Sequence, residues 1–204
     1  VMAKGLEDTA CYVYNRFVSV NEVGGNPKYF GNLVDELHSG NLKRLEHWPY
    51  SMLATSTHDT KRSEDVRARL DVLSEMPRNW GSHVMRWRRR NRPRKQTIAD
   101  GRVVPDHNEE FLLYQTLIGA WPFDFEAERE SFIRRIQQYM VKAVNEAKVN
   151  MSWVNPNPEY TEALQQFVVR ILTSGSAARP NLFLEQVQSL APTVGLFGAV
   201  NSLA

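Results

Sequence analysis

Apolar side chains recur at helical spacing through most of the chain. The clearest case is Glu126–Val149, in which the apolar positions follow one another in steps of one, three or four residues: Phe132, Ile133, Ile136, Met140, Val141 and Val144. This spacing places the six side chains on one side of an α-helix. We therefore predict a long amphipathic helix over this segment.

The same criterion, with glycine and proline as breaks, predicts helices along the rest of the chain. They cover Asp8–Val18, Tyr29–Leu37, Asn41–His47, Ser63–Met76, Trp80–Arg90, Asn108–Trp121, Tyr160–Thr173, Leu182–Leu190 and Val194–Leu203. Ser39-Gly40 separates the second of these from the third. Asn21–Pro27, with two glycines and a proline, is predicted to be a turn.

One segment has the pattern of a β-strand. Ser51–Thr57 is short, apolar at first and then rich in threonine, and it is followed by the polar pair His58-Asp59. The chain is therefore predicted to be mainly α, with at most a few short strands.

Composition limits the classes of function. The 204 residues are 42% hydrophobic and 24% charged, which is typical of a soluble globular protein. A net charge of +2 gives no overall attraction to nucleic acid or to anionic membranes. Cys11 is the only cysteine, so the chain has no internal disulfide, and we expect a cytoplasmic protein. Because the chain begins with Val1 and ends in an apolar run, we also expect an internal piece of a longer protein.

Candidate chemistry lies in Thr55–Leu70, which reads TSTHDTKRSEDVRARL. Its polar residues, His58–Arg62, follow the predicted strand, and α/β barrels gather catalytic groups at the carboxyl ends of their strands. A carboxylate beside an imidazole and two cations can stay ionised and accept hydrogen bonds from sugar hydroxyls. The simpler interpretation is that Asp59 or Thr60 caps the following helix. The residues alone leave both open.

This segment resembles the fourth conserved region of the α-amylase family of glycoside hydrolases, in which a His-Asp pair follows barrel strand seven. Its longer form, STHDTKRSEDVRARL, is similar over its whole length to the version found in malto-oligosyltrehalose synthases. Three further stretches are similar to the same family: VMAKGLEDTACYVYNRFVSVNEVGGNP at the start, PDHNEEFLLYQTLIGAWP at 105–122 and KVNMSWVNPNPEYTEAL at 148–164. The chain is therefore identified as a member of that family.

The resemblance implies a helical insertion or subdomain of a (β/α)8-barrel enzyme. Residues 1–50 would lead into the barrel, 51–76 would form strand seven, the catalytic turn and the following helix, and 77–204 would form a helical subdomain.

The resemblance also implies roles for five residues. Asp59 would be the third catalytic carboxylate, which holds sugar hydroxyls and favours a distorted, oxocarbenium-like ring, and His58 would bind the same sugar. Lys4 and Lys61 match lysines that the family places near the reducing-end sugars. Arg62 is a further candidate for substrate binding, with the alternative that it serves only the start of the helix.

The implied activity converts the reducing-end α-1,4 bond of malto-oligosaccharides to an α,α-1,1 bond by intramolecular transglucosylation, in trehalose biosynthesis, without metal or cofactor. Retaining transfer also needs a nucleophile and a general acid/base, about 5–5.5 Å apart. The Gly-x-Arg-x-Asp motif that carries the nucleophile in the family is absent from the sequence. We therefore expect the isolated chain to be inactive.

Two other functions stay open. The basic cluster, which comprises Arg86, Arg88, Arg89, Arg90, Arg92, Arg94 and Lys95, is compatible with nucleic-acid binding. Because acidic residues nearly balance the total charge, we favour a solvated basic face and expect no nucleic-acid or membrane partner. The chain could also be a helical interaction domain, and an exposed interface could let it dimerise. Trp48, Trp121 and Trp153 are predicted to pack in the core.

Overall fold

The computed structural model describes residues 2–26, 29 and 33–203, except for the side chains of Met2, Ala3, Lys4 and Leu6. The described chain is mainly helical, as predicted. The α-helices are α1 Met2–Val13, α2 Val34–His47, α3 Glu64–Glu75, α4 Pro77–Asn91, α5 His107–Ala120, α6 Phe125–Ala147, α7 Pro158–Leu172 and α8 Leu182–Leu203. Two two-residue strands, β1 Gln96–Thr97 and β2 Val103–Val104, form an antiparallel hairpin between α4 and α5.

Side-chain caps explain where three of these helices begin. The Asp106 carboxylate accepts a hydrogen bond from the Glu109 backbone N–H at 2.8 Å, and the Glu109 carboxylate accepts one from the Asp106 N–H at 3.0 Å. This capping box starts α5. Asp124 caps α6 through the Ala127 N–H at 3.0 Å, and Asn157 caps α7 in the same manner.

Aromatic rings from α4, α5 and α8 meet in the core. Trp87 lies with its ring centroid 5.4 Å from both Tyr114 and Phe183, at interplanar angles of 77° and 82°. All three rings are fully buried, and edge-to-face contacts of this kind are favoured by the ring quadrupoles. Trp121, predicted to be in the core, is also buried and stacks on Phe125 at 4.4 Å.

The predicted helix breaks at Ser39-Gly40 and near Pro192 are wrong. α2 continues across Gly40, because glycine lowers helix stability by only about 1 kcal/mol and does not end a helix by itself. α8 continues through Pro192. There the flanking residues Val187, Ala191 and Val194 are buried on one side of the helix, and this packing offsets the backbone hydrogen bond that proline cannot make.

The strand predicted at Ser51–Thr57 does not form in the described chain. The structure assigns no strand to these residues, and all seven are exposed. A strand is stable only when its backbone groups pair with a neighbouring strand. Within the described residues the sheet consists of β1 and β2 alone, which lie elsewhere, so Ser51–Thr57 has no ladder to join.

Two of the three tryptophans predicted to be in the core are exposed. Trp48, at the end of α2, is 72% exposed and Trp153 is 59% exposed. Trp48 directly follows α2, a helix with no buried residue, so it has no core to enter.

No helix in the described part of the chain is both long enough and apolar enough to span a membrane.

Candidate functional site

The polar segment His58–Arg62 forms a tight turn that leads into α3. The Thr60 hydroxyl donates to the Thr57 carbonyl oxygen at 2.9 Å, and the Thr60 N–H donates to the same oxygen at 3.3 Å. The Asp59 N–H donates to the Thr57 hydroxyl at 3.4 Å. Threonine side chains therefore close the turn locally. His58 is left exposed, and Asp59 is half-buried.

Lys61 is a charged residue of the turn whose side chain is mostly shielded from solvent. Its side chain is 11% exposed, and it forms an ion pair with Asp8 of α1. Burial by itself would lower the pKa of this ammonium group. The hydrogen bond and charge of Asp8, with the charge of Asp59, outweigh burial and raise the pKa of Lys61 above its ordinary value. The turn therefore keeps a cation next to the Asp59 carboxylate at neutral pH.

Arg62 turns toward α5 and α6. Its guanidinium donates to the Tyr139 hydroxyl at 2.7 Å and to the Thr116 hydroxyl at 3.4 Å, and it lies 5.2 Å from the centroid of the Tyr139 ring. Arg62 and Lys61 both line a cavity of about 240 Å³. The cavity connects the turn with the helical core, and one terminal nitrogen of the Arg62 guanidinium is engaged there by Tyr139 and Thr116.

Lys4 lies in α1, and its side chain falls outside the described part of the structure. Its helix meets the turn through the ion pair between Asp8 and Lys61. Lys4 precedes Asp8 by one helical turn, so the two positions lie on the same face of α1.

Two residues that the sequence prediction missed hold the turn from its other side. The Glu22 carboxylate accepts a hydrogen bond from the Lys61 N–H at 2.7 Å and pairs with Arg67 at 3.1 Å. Glu22 lies in NEVGG, which is part of a stretch that resembles the family, and this is the signal that could have identified it. Arg67 lies in STHDTKRSEDVRARL, which also resembles the family, so the same signal was present there.

The basic cluster is partly taken up by contacts within the chain. The Lys95 ammonium lies 2.6 Å from the buried Glu110 carboxylate, and Arg94 donates to the Asn181 side chain at 2.9 Å. Arg90 donates to a carbonyl at the start of α8 at 3.1 Å. These side chains tie α4 and the hairpin to α5 and α8.

Among the described residues, no group of three or more His, Cys, Asp or Glu side chains is placed to bind a metal ion. Cys11 is a buried free thiol, and burial raises its pKa.

Comparisons with known proteins give consistent results. No family model matches the chain. The putative maltooligosyl trehalose synthase of Mycobacterium tuberculosis is 38% identical over 172 residues, which are 84% of this chain and 21% of that protein. A crystal structure of maltooligosyl trehalose synthase superposes with a TM-score of 0.81 at 34% identity, covering 95% of this chain and 24% of that one. The Arthrobacter ramosus maltooligosyltrehalose synthase gives a TM-score of 0.80 at 32% identity, covering all of this chain and 24% of that one.

These matches define the chain as a helical segment similar to part of a larger carbohydrate-converting enzyme. It belongs to the maltooligosyl trehalose synthase family. The chain spans about a fifth to a quarter of the length of the relatives that it matches.

Proposed function

We propose that the chain works as a segment of a longer synthase. That synthase would convert the reducing-end α-1,4 bond of malto-oligosaccharides to an α,α-1,1 bond, which is an isomerisation by intramolecular glucosyl transfer in trehalose biosynthesis. The observation that carries the proposal is the turn at His58-Asp59, in which the charge of Asp59 acts on the mostly shielded ammonium group of Lys61. It occurs in a chain homologous to these synthases over most of its length.

The roles follow from the chemistry of the side chains. Asp59 would accept hydrogen bonds from sugar hydroxyls and favour the positive charge that develops on the ring in the transition state. His58, exposed at the tip of the turn, would bind the same sugar. Lys61 and Lys4 would hold the hydroxyls of the reducing-end glucose. Arg62 has the weakest support, because its guanidinium is already bonded to Tyr139 and Thr116.

The reaction needs two carboxyl groups besides Asp59. One attacks the anomeric carbon while the other gives its proton to the leaving oxygen, and the glycosidic bond breaks. The freed glucose then turns, and its anomeric hydroxyl attacks the anomeric carbon of the glycosyl-enzyme. The bond from that carbon to the nucleophile breaks, which restores the carboxylate, and the proton of the hydroxyl passes to the group that protonated the leaving oxygen. We propose that both groups come from parts of the synthase outside this chain. Helices around the site would exclude water during the rotation, because water would otherwise hydrolyse the intermediate.

We propose the same division of the chain as the resemblance implies. Residues 1–50 lead into a barrel, 51–76 carry its seventh strand, the catalytic turn and the following helix, and 77–204 form the helical subdomain. Ser51–Thr57 would adopt strand geometry only where barrel strands pair with it. The lone, buried Cys11 supports a reducing, cytoplasmic setting.

The exposed apolar side of α2 supports contact with other protein surface. Val34, Leu37 and Leu45 are 67%, 57% and 67% exposed, and they recur along one side of the helix. We propose that the rest of the longer polypeptide covers this side, and that the isolated chain dimerises through it. Sedimentation over a concentration series tests the dimer, and a monomer throughout would contradict it.

Nucleic-acid binding has less support. A nucleic-acid interface needs free cationic side chains along one surface. Lys95, Arg94 and Arg90 of the basic cluster are instead bonded within the chain. We therefore propose that the cluster stabilises the helical subdomain and binds no nucleic acid.

The direct test is the substitution Asp59→Asn in the longer synthase. It removes a charge at the reacting sugar and keeps the shape of the side chain, so turnover of maltopentaose should nearly vanish while the fold is unchanged. Glu130→Gln, at an exposed position on α6, is the matched control. Near-normal turnover of the Asp59→Asn enzyme would exclude Asp59 from the mechanism.

A further inference from the structure

The loop that contains Glu22 lies against the turn at His58-Asp59. The first carboxylate oxygen of Glu22 accepts from the backbone N–H of Lys61 at 2.7 Å and of Val23 at 2.9 Å. The second accepts from the Arg62 N–H at 3.4 Å and from the Arg67 guanidinium at 3.1 Å. One side chain thus binds two successive amides at the end of the turn that carries Asp59.

Arg67 closes the arrangement from α3. Besides Glu22, its guanidinium donates to the Arg62 carbonyl oxygen at 2.9 Å and to the Thr55 carbonyl oxygen. Thr55 precedes the turn, and Arg62 is its last residue. The pair of Glu22 and Arg67 therefore fixes both ends of the segment between them.

The loop is itself anchored to the helical core. The Asn21 side-chain amide donates to the carbonyl oxygens of Cys11 at 3.0 Å and Tyr14 at 2.7 Å. Gly25 is required for its path, because a Cβ there would lie 2.9 Å from the Glu22 carbonyl oxygen. Gly24 has a φ of +72°, a conformation that favours glycine. These contacts hold the backbone of the loop in place, and with it the position of the Glu22 side chain.

We propose that Glu22 is a positioning residue that fixes the backbone of the turn and so sets the places of Asp59 and Lys61 at the sugar. The proposal rests on the proposed function of that turn. Glu22 need not touch substrate, because it acts through the Lys61 and Arg62 amides. Catalytic groups must be held within about 0.5 Å of their productive geometry, and a shift of about 1 Å can lower the rate about 100-fold.

The first test measures amide hydrogen exchange on the 204-residue chain. In Glu22→Ala, the Lys61 amide should exchange at least about tenfold faster than in the wild type, because its acceptor is gone. Glu22→Gln keeps one acceptor oxygen and should give an intermediate rate, with core amides of α5 and α7 unchanged. Wild-type exchange at Lys61 in Glu22→Ala would overturn the proposal. If Glu22→Ala unfolds, the exchange rate of the Lys61 amide in Glu22→Gln tests the proposal instead, and a wild-type rate there would overturn it.

The second test compares turnover in the longer synthase. Glu22→Ala should lower kcat about 10- to 100-fold with a smaller change in KM, and Glu22→Gln should recover part of the loss. Glu130→Ala serves as the control at an exposed glutamate of α6. Asp59→Asn separates the two hypotheses. If Asp59→Asn turns over normally, the proposed function fails. If Asp59→Asn is inactive but Glu22→Ala is normal, the positioning role of Glu22 is overturned.

Discussion

Asp59 and Lys61 show how neighbouring side chains of one turn acquire different environments. Asp59 is half-buried in a turn closed by threonine hydroxyls, whereas Lys61 reaches inward to Asp8. Burial by itself would lower the pKa of Lys61, but the hydrogen bond and charge of Asp8, with the charge of Asp59, raise it. This arrangement supports the proposal that the two side chains hold sugar hydroxyls.

Lys61 can be tested through the products of the longer synthase. If its ammonium holds the glucose that must turn, Lys61→Ala should raise the proportion of free glucose relative to trehalose-ended product, because water competes for the intermediate. Chromatography of the products of maltopentaose measures this ratio. Lys142→Ala, at an exposed position on α6, is the control. An unchanged ratio would count against the role of Lys61.

Glu109 makes the stability of the chain depend on pH. Burial, and next the charge of Asp106, raise the pKa of this carboxyl above its ordinary value of 4.5, although hydrogen bonds from Tyr160 and Asn150 oppose the shift. A raised folded-state pKa contributes stability below pH 4.5, and that contribution is lost as pH rises through the folded-state value.

The comparison that isolates this effect is wild type against Glu109→Gln, which resembles the protonated form. As pH rises from about 4 to 8, the free energy of unfolding of the wild type should fall relative to that of the variant. Urea denaturation at several pH values measures the difference. If the difference in free energy of unfolding stays constant or changes in the opposite direction, the pKa of Glu109 is not raised in the folded state.

At the scale of elements, two helices meet so closely that only glycine fits. α3 and α8 cross at Gly198, where a Cβ would lie 2.9 Å from the Cα of Arg69 and 3.0 Å from its nitrogen. Gly195, one turn earlier in α8, has nothing within 4 Å of the same position. The two glycines therefore differ in tertiary surroundings and not in helix propensity.

This difference makes a matched pair of substitutions. Gly198→Ala should lower the free energy of unfolding by about 1–3 kcal/mol, because backbone must move to admit the methyl group. Gly195→Ala should raise it by about 0.5–1 kcal/mol through helix propensity alone. Urea denaturation of both variants measures the changes. Equal effects of the two substitutions would mean that α8 does not pack on α3 in this manner.

At the scale of the whole molecule, the chain holds one proposed catalytic carboxylate of three. Groups that act as a unit do not keep activity in proportion to the number that remain. We therefore predict that the 204-residue chain neither isomerises nor hydrolyses malto-oligosaccharides. Incubation with maltopentaose, beside a full-length relative as positive control and a heat-treated chain as blank, tests this. Turnover above the blank would show that the chain contains a nucleophile and an acid/base.

Helices whose signals are local were predicted closely from sequence. α5 begins at the Asp106 cap and α6 follows the apolar repeat that ends near Val144, so composition and spacing suffice to find them. The His58-Asp59 turn was found for the same reason, since its residues are consecutive. Resemblance then supplied a role that spacing alone could not assign.

The remaining features depend on residues far apart in the chain. Glu22 meets Lys61 across 39 positions, and no local pattern encodes that contact. Pro192 predicts a break in α8, but burial of its neighbours offsets the cost of proline inside a helix. Ser51–Thr57 has the composition of a strand, but no described strand lies beside it to pair with. Local propensities are worth about 1 kcal/mol per residue or less, and about 3 kcal/mol for proline inside a helix, whereas packing and pairing act on many residues together. Sequence therefore specified the helices and the chemistry of the turn, and tertiary contacts decided which elements persist and what holds the turn in place.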